Sequence, residues 1–408
     1  MASIITRIFR ENWQKACAES KSPQLKRAAV QKNIEKIMMC RTLWLGAKEF
    51  KCGNKKCNHV MFVPNTCKSR FCPSCGFKAT LNWQGAFMRR VIPSEYQHLV
   101  FSAPTLIREI FLDNRRAIVK LLFHAASRSI LEFCKRREDY LPGIVGVFQS
   151  FGKSLNLHPH FHLIRTAGGI LLEDGKTWVE SSYLPEKSIK ARFKAKILKG
   201  LRGLHRTGKL KGPFGKLSYK EFNKRLNRIH ESHWWIWIGQ ADESHNLIPY
   251  FYITRYLFRA PITSRRIVDY SKGRYVKWLP QSRHGLSKTQ AFVDTPTRFI
   301  ERLATHMPDD YDHLIYYSGL YAPAYRQTYY KAAKKHFAEK NEGIELSEDY
   351  EPLKWEQMME MSTGHNPLTC PKCGSRMRFA RFLFFFQRDI ARFELKNHQL
   401  IEKKIDSS

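Results

Sequence analysis

Residues 143–170 read GIVGVFQSFGKSLNLHPHFHLIRTAGGI. The pattern alternates like two strands, and Gly152–Ser154 can make the turn between them. Strand periodicity puts His158, His160 and His162 on one face and Pro159, Phe161 and Leu163 on the other, where they can meet a core. A lone histidine in such a place is ordinarily a hydrogen-bonded structural residue. Imidazoles side by side in alternation make half of a divalent-metal site instead, because the neutral ring is the ligand form. The HExxH helix signature of zinc hydrolases is absent from the chain.

Working outward, YQHLVFSAP (96–104) reads as another strand, followed by long helical periodicity through IREIFLDNRRAIVKLLFHAASRSILEF (107–133). Lys187–His230 has Glu221 as its only acid and reads as helices broken by GPFG, an insertion with a solvated or phosphate-facing side. A strand, HWWIWIG, follows, and then a helix over 246–259. The aromatic run FLFFF (382–386) reads as a buried strand, and the charged tail from Gln387 as a frayed end. No internal repeat is visible.

The helix after HWWIWIG carries a second chemical signal. In PYFYITRYLFRAPITSRRI (249–267), Tyr252 and Tyr256 are four apart, so their hydroxyls share a helix face; Arg255 and Arg259 repeat the spacing. Tyr250 lies on a different face. A phenol attacking a phosphodiester must shed a proton held with a pKa near ~10, and an ion bound by paired histidines could polarise the phosphate as Lewis acid and template. The product, a phosphotyrosine link, conserves the broken bond's energy.

The chain has 10 cysteines. In a cytosolic protein they point to metal rather than disulfides. Two short-spaced pairs, Cys52 with Cys57 and Cys72 with Cys75, are what a closed tetrahedral zinc site needs, with Cys67 or His59 as alternative members. Lys51, Lys55, Lys56, Lys68 and Arg70 surround them and suit a DNA grip. Cys370 and Cys373 in CPKCG form a lone half-site.

With 70 Lys plus Arg against 36 Asp plus Glu, the net charge is +34, and the natural partner is a polyanion. Interleaved aromatics that can stack on unpaired bases favour nucleic acid over an anionic membrane. No uncharged apolar run reaches the ~18–20 residues needed to span a bilayer, and the start shows no secretory signal, so a cytoplasmic, nucleoid-associated bacterial protein is expected. The length of 408 residues suggests two or three units: 1–90, a zinc-binding and DNA-binding module; 91–285, the catalytic domain with the basic helical insertion 187–230; and 286–408, a C-terminal region with the CPxCG half-site.

The motifs together resemble a known family. CxxRxCPxC (67–75), IPxxYxHLVFSxP (92–104), SFGxxLNLHPHFHLI (150–164), YITRYLFRAPIxxxRI (252–267) and CPxCG (370–374) are similar to the rolling-circle transposases of the insertion sequence 91 family, two-tyrosine members of the HUH single-strand endonuclease superfamily. The resemblance implies an α+β fold, an HUH domain with a central antiparallel sheet flanked by helices plus an N-terminal zinc module. It implies that His160 and His162 bind the active-site Mg²⁺ or Mn²⁺, with His158 an extra and Gln149 offered as a third ligand, while structural Zn²⁺ sits in the N-terminal module. Tyr252 and Tyr256 match the nucleophiles, each keeping a DNA 5′-phosphate and freeing a 3′-hydroxyl at single-stranded transposon ends. Arg255, Arg259, Arg265 and Arg266 would neutralise phosphates; an oligomer is compatible with this chemistry. Two rivals stand beside it: a plasmid-type rolling-circle replication initiator, and a zinc-dependent DNA-binding protein without catalysis.

Overall fold

The computed structural model describes residues 3–241, 260–282, 285–286, 290–340, 353–363, 365–387, 393–396 and 398–402. Helices α1 (Ile4–Glu19) and α2 (Ala28–Met38) precede a hairpin of β1 (Ala47–Cys52) and β2 (Val60–Pro64). Helix α3 (Pro73–Met88) starts on a proline, tolerated there because the first helical N–H has no partner anyway. Then come β3 (Tyr96–Ser102), α4 (Ile107–Asp113), α5 (Arg115–Glu138), β4 (Tyr140–Phe151), β5 (Leu157–Leu171) and β6 (Trp178–Glu180). They are followed by α6 (Glu186–Arg206), α7 (Tyr219–Glu231) and β7 (Trp235–Ala241). The remainder supplies β8 (Ile267–Ser271), β9 (Tyr275–Trp278), β10 (Gln281–Ser282), β11 (Gly285–Leu286), β12 (Phe292–Asp294), α8 (Pro296–His306) and β13 (Ile315–Gly319). Last are α9 (Tyr329–Lys340), α10 (Trp355–Thr363), β14 (Met377–Leu383), β15 (Phe393–Lys396) and β16 (Gln399–Glu402).

The fold is α+β, as the family resemblance implied. Its centre is a six-stranded sheet in the order β13-β4-β5-β3-β7, with β6 paired to β5, and every pairing in it is antiparallel. Strands β4 and β5 meet through the Gly152–Ser154 turn, where the Leu155 N–H donates to the Gly152 carbonyl (3.0 Å). Alternation then sorts the side chains. Leu99, Phe101, Ile144, Phe148, Phe161, Leu163 and Ile236 form one face and are buried against α4, α5, α6 and α7. Each large apolar side chain hidden there contributes about 1.5–3 kcal/mol relative to exposure.

The opposite face is divided along its length. At one end Tyr96, Val145 and Ile164 pack under Phe87 and Met88 of α3 and Ala333 and Phe337 of α9. Toward the other end the same rows continue as His162, His160 and His158 of β5. The apolar half anchors the sheet, and the histidines occupy the half beyond that cover.

The basic segment 187–230 forms two helices, with a capping box of Ser218 and Glu221 opening α7. Ile189, Phe193, Ile197 and Leu201, one per turn of α6, join α4, α5 and α7 in the main core over that face of the sheet. In the region 286–408, β13 is an edge strand of the central sheet and β14 pairs with β1. Residues of α1 and α2 share a core with Val276, Trp278, Phe299 and Ile300. The FLFFF run is not buried, because it ends an edge strand and continues past it; Phe382, Phe384 and Phe386 are 56%, 79% and 71% exposed. Within the tail, β15 and β16 pair as a hairpin.

Candidate active site and metal centres

The three histidines of β5 do share a face, and the strands on either side complete it. Gln149 of β4 and Ser102 of β3 lie in register with His160; Val147 and Val100 lie in register with His162. Gln149, the sequence candidate for a third ligand, is buried on the histidine face.

Hydrogen bonds assign the ring nitrogens. His160 Nδ1 lies 2.6 Å from the His158 carbonyl, which can only accept, so Nδ1 carries the proton and Nε2 keeps a lone pair. His162 Nε2 is 3.1 Å from that lone pair, and its Nδ1 is 2.9 Å from His98 Nε2. Something positive must lie between the two Nε2 atoms: a proton on His162 Nε2, or a cation. When the His162 proton sits on Nδ1 and is donated to His98, each Nε2 keeps a lone pair, the two atoms 3.1 Å apart. Metal–nitrogen bonds of about 2.1 Å at right angles would set two nitrogens about 3.0 Å apart, so the pair fits adjacent positions around an octahedral ion.

His158 is differently engaged. The Arg108 guanidinium donates to its Nδ1 (2.9 Å), leaving Nε2–H to donate to Ser102 Oγ (3.0 Å), so neither nitrogen offers a lone pair to an ion. Burial lowers His160 to about 4 and His98 to about 4; it also holds His162 well below its ordinary value, with the neighbouring imidazoles adding to the effect. All three are therefore neutral at pH 7. His98 was not singled out by sequence, although its alternation with Val100 and Ser102 in YQHLVFS was the available signal.

The cysteines assemble into two quartets rather than one. Cys40, Cys67, Cys72 and Cys75 form the first, with Sγ separations of 3.7 Å (Cys40–Cys75), 3.6 Å (Cys67–Cys75) and 3.7 Å (Cys40–Cys72). A tetrahedral zinc with Zn–S bonds of about 2.3 Å requires edges of about 3.8 Å. Hydrogen bonds from the thiols of Cys40, Cys67 and Cys72 push Cys75 far down, and the same sharing raises Cys67: one proton-sharing cluster that a cation can replace. Cys52 and Cys57 are not in this cage. They face Cys370 and Cys373, because the β1–β2 turn carries them to the far end of the hairpin. The expected set of Cys52, Cys57, Cys72 and Cys75 is thus split, Cys67 is a full member of the first quartet, His59 belongs to neither, and Cys40 replaces the missing ligand.

Two family descriptions match the chain, "Transposase zinc-binding domain" over residues 8–103 and "Putative transposase" over residues 143–328. The transposase for insertion sequence element IS801 of Pseudomonas savastanoi pv. phaseolicola is 28% identical over 353 residues, covering 84% of this chain and 82% of that protein. The chain belongs to the insertion sequence 91 family of transposases. The "Putative transposase y4qJ" of Sinorhizobium fredii (strain NBRC 101917 / NGR234) is 26% identical over 348 residues, 83% of this chain and 85% of that one. No solved structure matches it.

The first quartet lies inside the segment that matches the zinc-binding domain, so this transposase's own thiols fit the metal its family domain is described by. Cys40→Ser is expected to release that zinc and destabilise the α2–α3 region. The loss should be several kcal/mol, a fraction of the roughly 10–16 kcal/mol apparent for structural zinc in small peptides. Zinc content and the urea midpoint would read it, and an unchanged zinc content would return the cage to other ligands.

DNA is the transposase's partner, and no described helix is long and apolar enough to cross a membrane. Lys51, Lys55, Lys56, Lys68, Arg70 and Arg265 are exposed on its surface. Arg266 is not: its guanidinium donates to the carbonyls of Leu279 (2.7 Å), Pro261 (3.0 Å) and Lys153 (3.1 Å) and lies over the Trp278 ring. It pins the chain to the β4–β5 turn and has no face left for a phosphate. Tyr252, Tyr256, Arg255 and Arg259 lie outside the described residues.

Proposed function

We propose that this transposase nicks and rejoins single-stranded DNA at its element's ends through 5′-phosphotyrosine intermediates on Tyr252 and Tyr256, with a divalent ion on His160 and His162. The observation that carries the reading is the convergence of the two Nε2 atoms at 3.1 Å, on rings that burial keeps neutral and hydrogen bonds hold in place. Mg²⁺ or Mn²⁺ bound there would supply Lewis-acid polarisation of the scissile phosphate. The phenolic oxygen forms the new P–O bond, its proton passes to solvent or a base, and the departing 3′-oxygen leaves with the electron pair to become a free hydroxyl. A second tyrosine allows a second transfer before the first link is resolved.

Chain connectivity supports placing the tyrosines nearby. Strand β7 runs from Trp235, beside Ser102 at the histidine end, to Ala241, beside Gln97 at the covered end. The chain is next described from Ala260, and the Arg266 bond to Lys153 ties this stretch to the turn that precedes the histidines. The described residues on either side of 242–259 therefore lie toward opposite ends of the sheet.

The test is covalent capture. An oligonucleotide carrying an element end, incubated with the protein and Mn²⁺ or Mg²⁺, should become attached, and peptide mapping should place the nucleotide on Tyr252 or Tyr256. Attachment to any other residue would overturn the assignment.

His98 has a distinct part as a positioning residue, since it fixes the tautomer of His162. His98→Ala is expected to weaken Mn²⁺ binding by about 10–100-fold, the usual cost of losing a ligand's outer partner. His98→Gln, which can still accept from Nδ1, should restore much of it. Equal losses in the two variants, read by calorimetric Mn²⁺ titration, would assign His98 to packing alone.

A further inference from the structure

The second cysteine quartet joins segments that are 321 residues apart in sequence. Cys52 Sγ lies 3.4 Å from Cys373 Sγ, and Cys57 Sγ lies 3.9 Å from Cys370 Sγ; all four ligand atoms fall within 4.8 Å of one another. These separations bracket the edge of about 3.8 Å for a zinc tetrathiolate and far exceed the roughly 2.05 Å of a disulfide. Each pair sits on a tight turn that aims both thiols inward. The Cys52 N–H donates to the His59 carbonyl (2.9 Å) and the Cys57 N–H to Asn54 (2.9 Å). Across from them the Gly374 N–H donates to the Cys370 carbonyl (2.9 Å), with Gly374 at φ 71°, a conformation costly for any residue with a Cβ. The Gly53 N–H donates to the Arg376 carbonyl (2.9 Å) and locks the two turns together.

We propose that Cys52, Cys57, Cys370 and Cys373 hold a second structural zinc ion, which clamps β14 onto β1. An all-sulfur donor set selects zinc over the oxygen-loving ion of the histidine site. The apolar support under this sheet is small, with Phe50, Met61, Val63, Met359 and Met377 as its buried side chains apart from Cys370. Small cores of this kind are the ones that metals complete. The two quartets then account for eight of the ten cysteines, leaving Cys17 exposed and Cys134 buried.

The full chain, purified without chelator, should contain two zinc ions by elemental analysis, and Cys370→Ser with Cys373→Ser should contain one. Because that variant could misfold, the native protein carries the second measurement. Cys373 is exposed, so as a free thiol it would react with iodoacetamide as readily as Cys17. Coordination predicts that Cys17 is labelled while Cys373 is protected until a chelator removes zinc, whereupon Cys373 becomes reactive. One zinc per native chain, labelling of Cys373 alongside Cys17, or a Cys52–Cys373 disulfide in the non-reduced digest would each overturn the proposal.

Discussion

Tyr252→Phe combined with Tyr256→Phe is expected to abolish the covalent DNA adduct, a fall on the order of 10⁴- to 10⁶-fold in cleavage, as when other enzymes lose a nucleophile. Phenylalanine keeps ring volume and helix propensity and removes only the oxygen that would bond to phosphorus, so folding and DNA binding should persist. The single variants divide the roles. If one tyrosine opens the first strand and the other receives the second, each single variant still forms an adduct with a single-end oligonucleotide or fails to, according to which step the assay reads, while transfer between two ends fails in both. A double variant that still forms the adduct would remove both residues from the reaction.

His160→Ala should have the next largest effect. It deletes a ring whose Nδ1 is already held by the His158 carbonyl and whose Nε2 lies 3.1 Å from His162 Nε2. If His160 and His162 hold the proposed ion, loss of one imidazole forfeits several kcal/mol of charge stabilisation, so cleavage should drop by about 10³-fold or more. DNA affinity, and its fall with salt, should change little, because the net charge of +34 is spread over residues elsewhere. His158→Ala is the instructive control. With both of its nitrogens occupied by Arg108 and Ser102, its loss should cost stability more than it costs Mn²⁺ affinity. Parallel loss of cleavage and binding in His160→Ala would make the strand's histidines a folding element instead.

The β4–β5 hairpin was readable in the sequence because period-two alternation and a glycine-containing break are local signals. The histidine face followed from the same rule, and β3 and β7 likewise announced themselves as short alternating runs. What could not be read was which distant pieces meet. Spacing along the chain reports that Cys52–Cys57 and Cys72–Cys75 are each built on turns, yet not that the first turn finds Cys370 and Cys373. Cys40, just past the end of a helix and outside any short-spaced pair, gave no motif. His98 was hidden for a similar reason, since one histidine in a strand says nothing until its neighbour strand is known. In segment 187–230 the charge was visible, while the stripe from Ile189 to Leu201 that reaches the core was not read. The FLFFF run misled, since composition alone cannot distinguish a core strand from the exposed end of an edge.

The return of β13 to β4 and of β14 to β1 has a consequence for how the polypeptide is made. Partners so far apart in sequence carry a large loop-closure cost and favour slow assembly. While the ribosome is still short of Ile315, the edge of β4 has no neighbour on one side, and until Met377 emerges β1 is paired only with β2. Copies of the element that acquire an early stop codon would therefore yield chains with an open strand edge, prone to aggregation and removal. Completion of translation becomes a checkpoint, and a decayed element would tend to fall silent rather than leave behind a half-working nuclease.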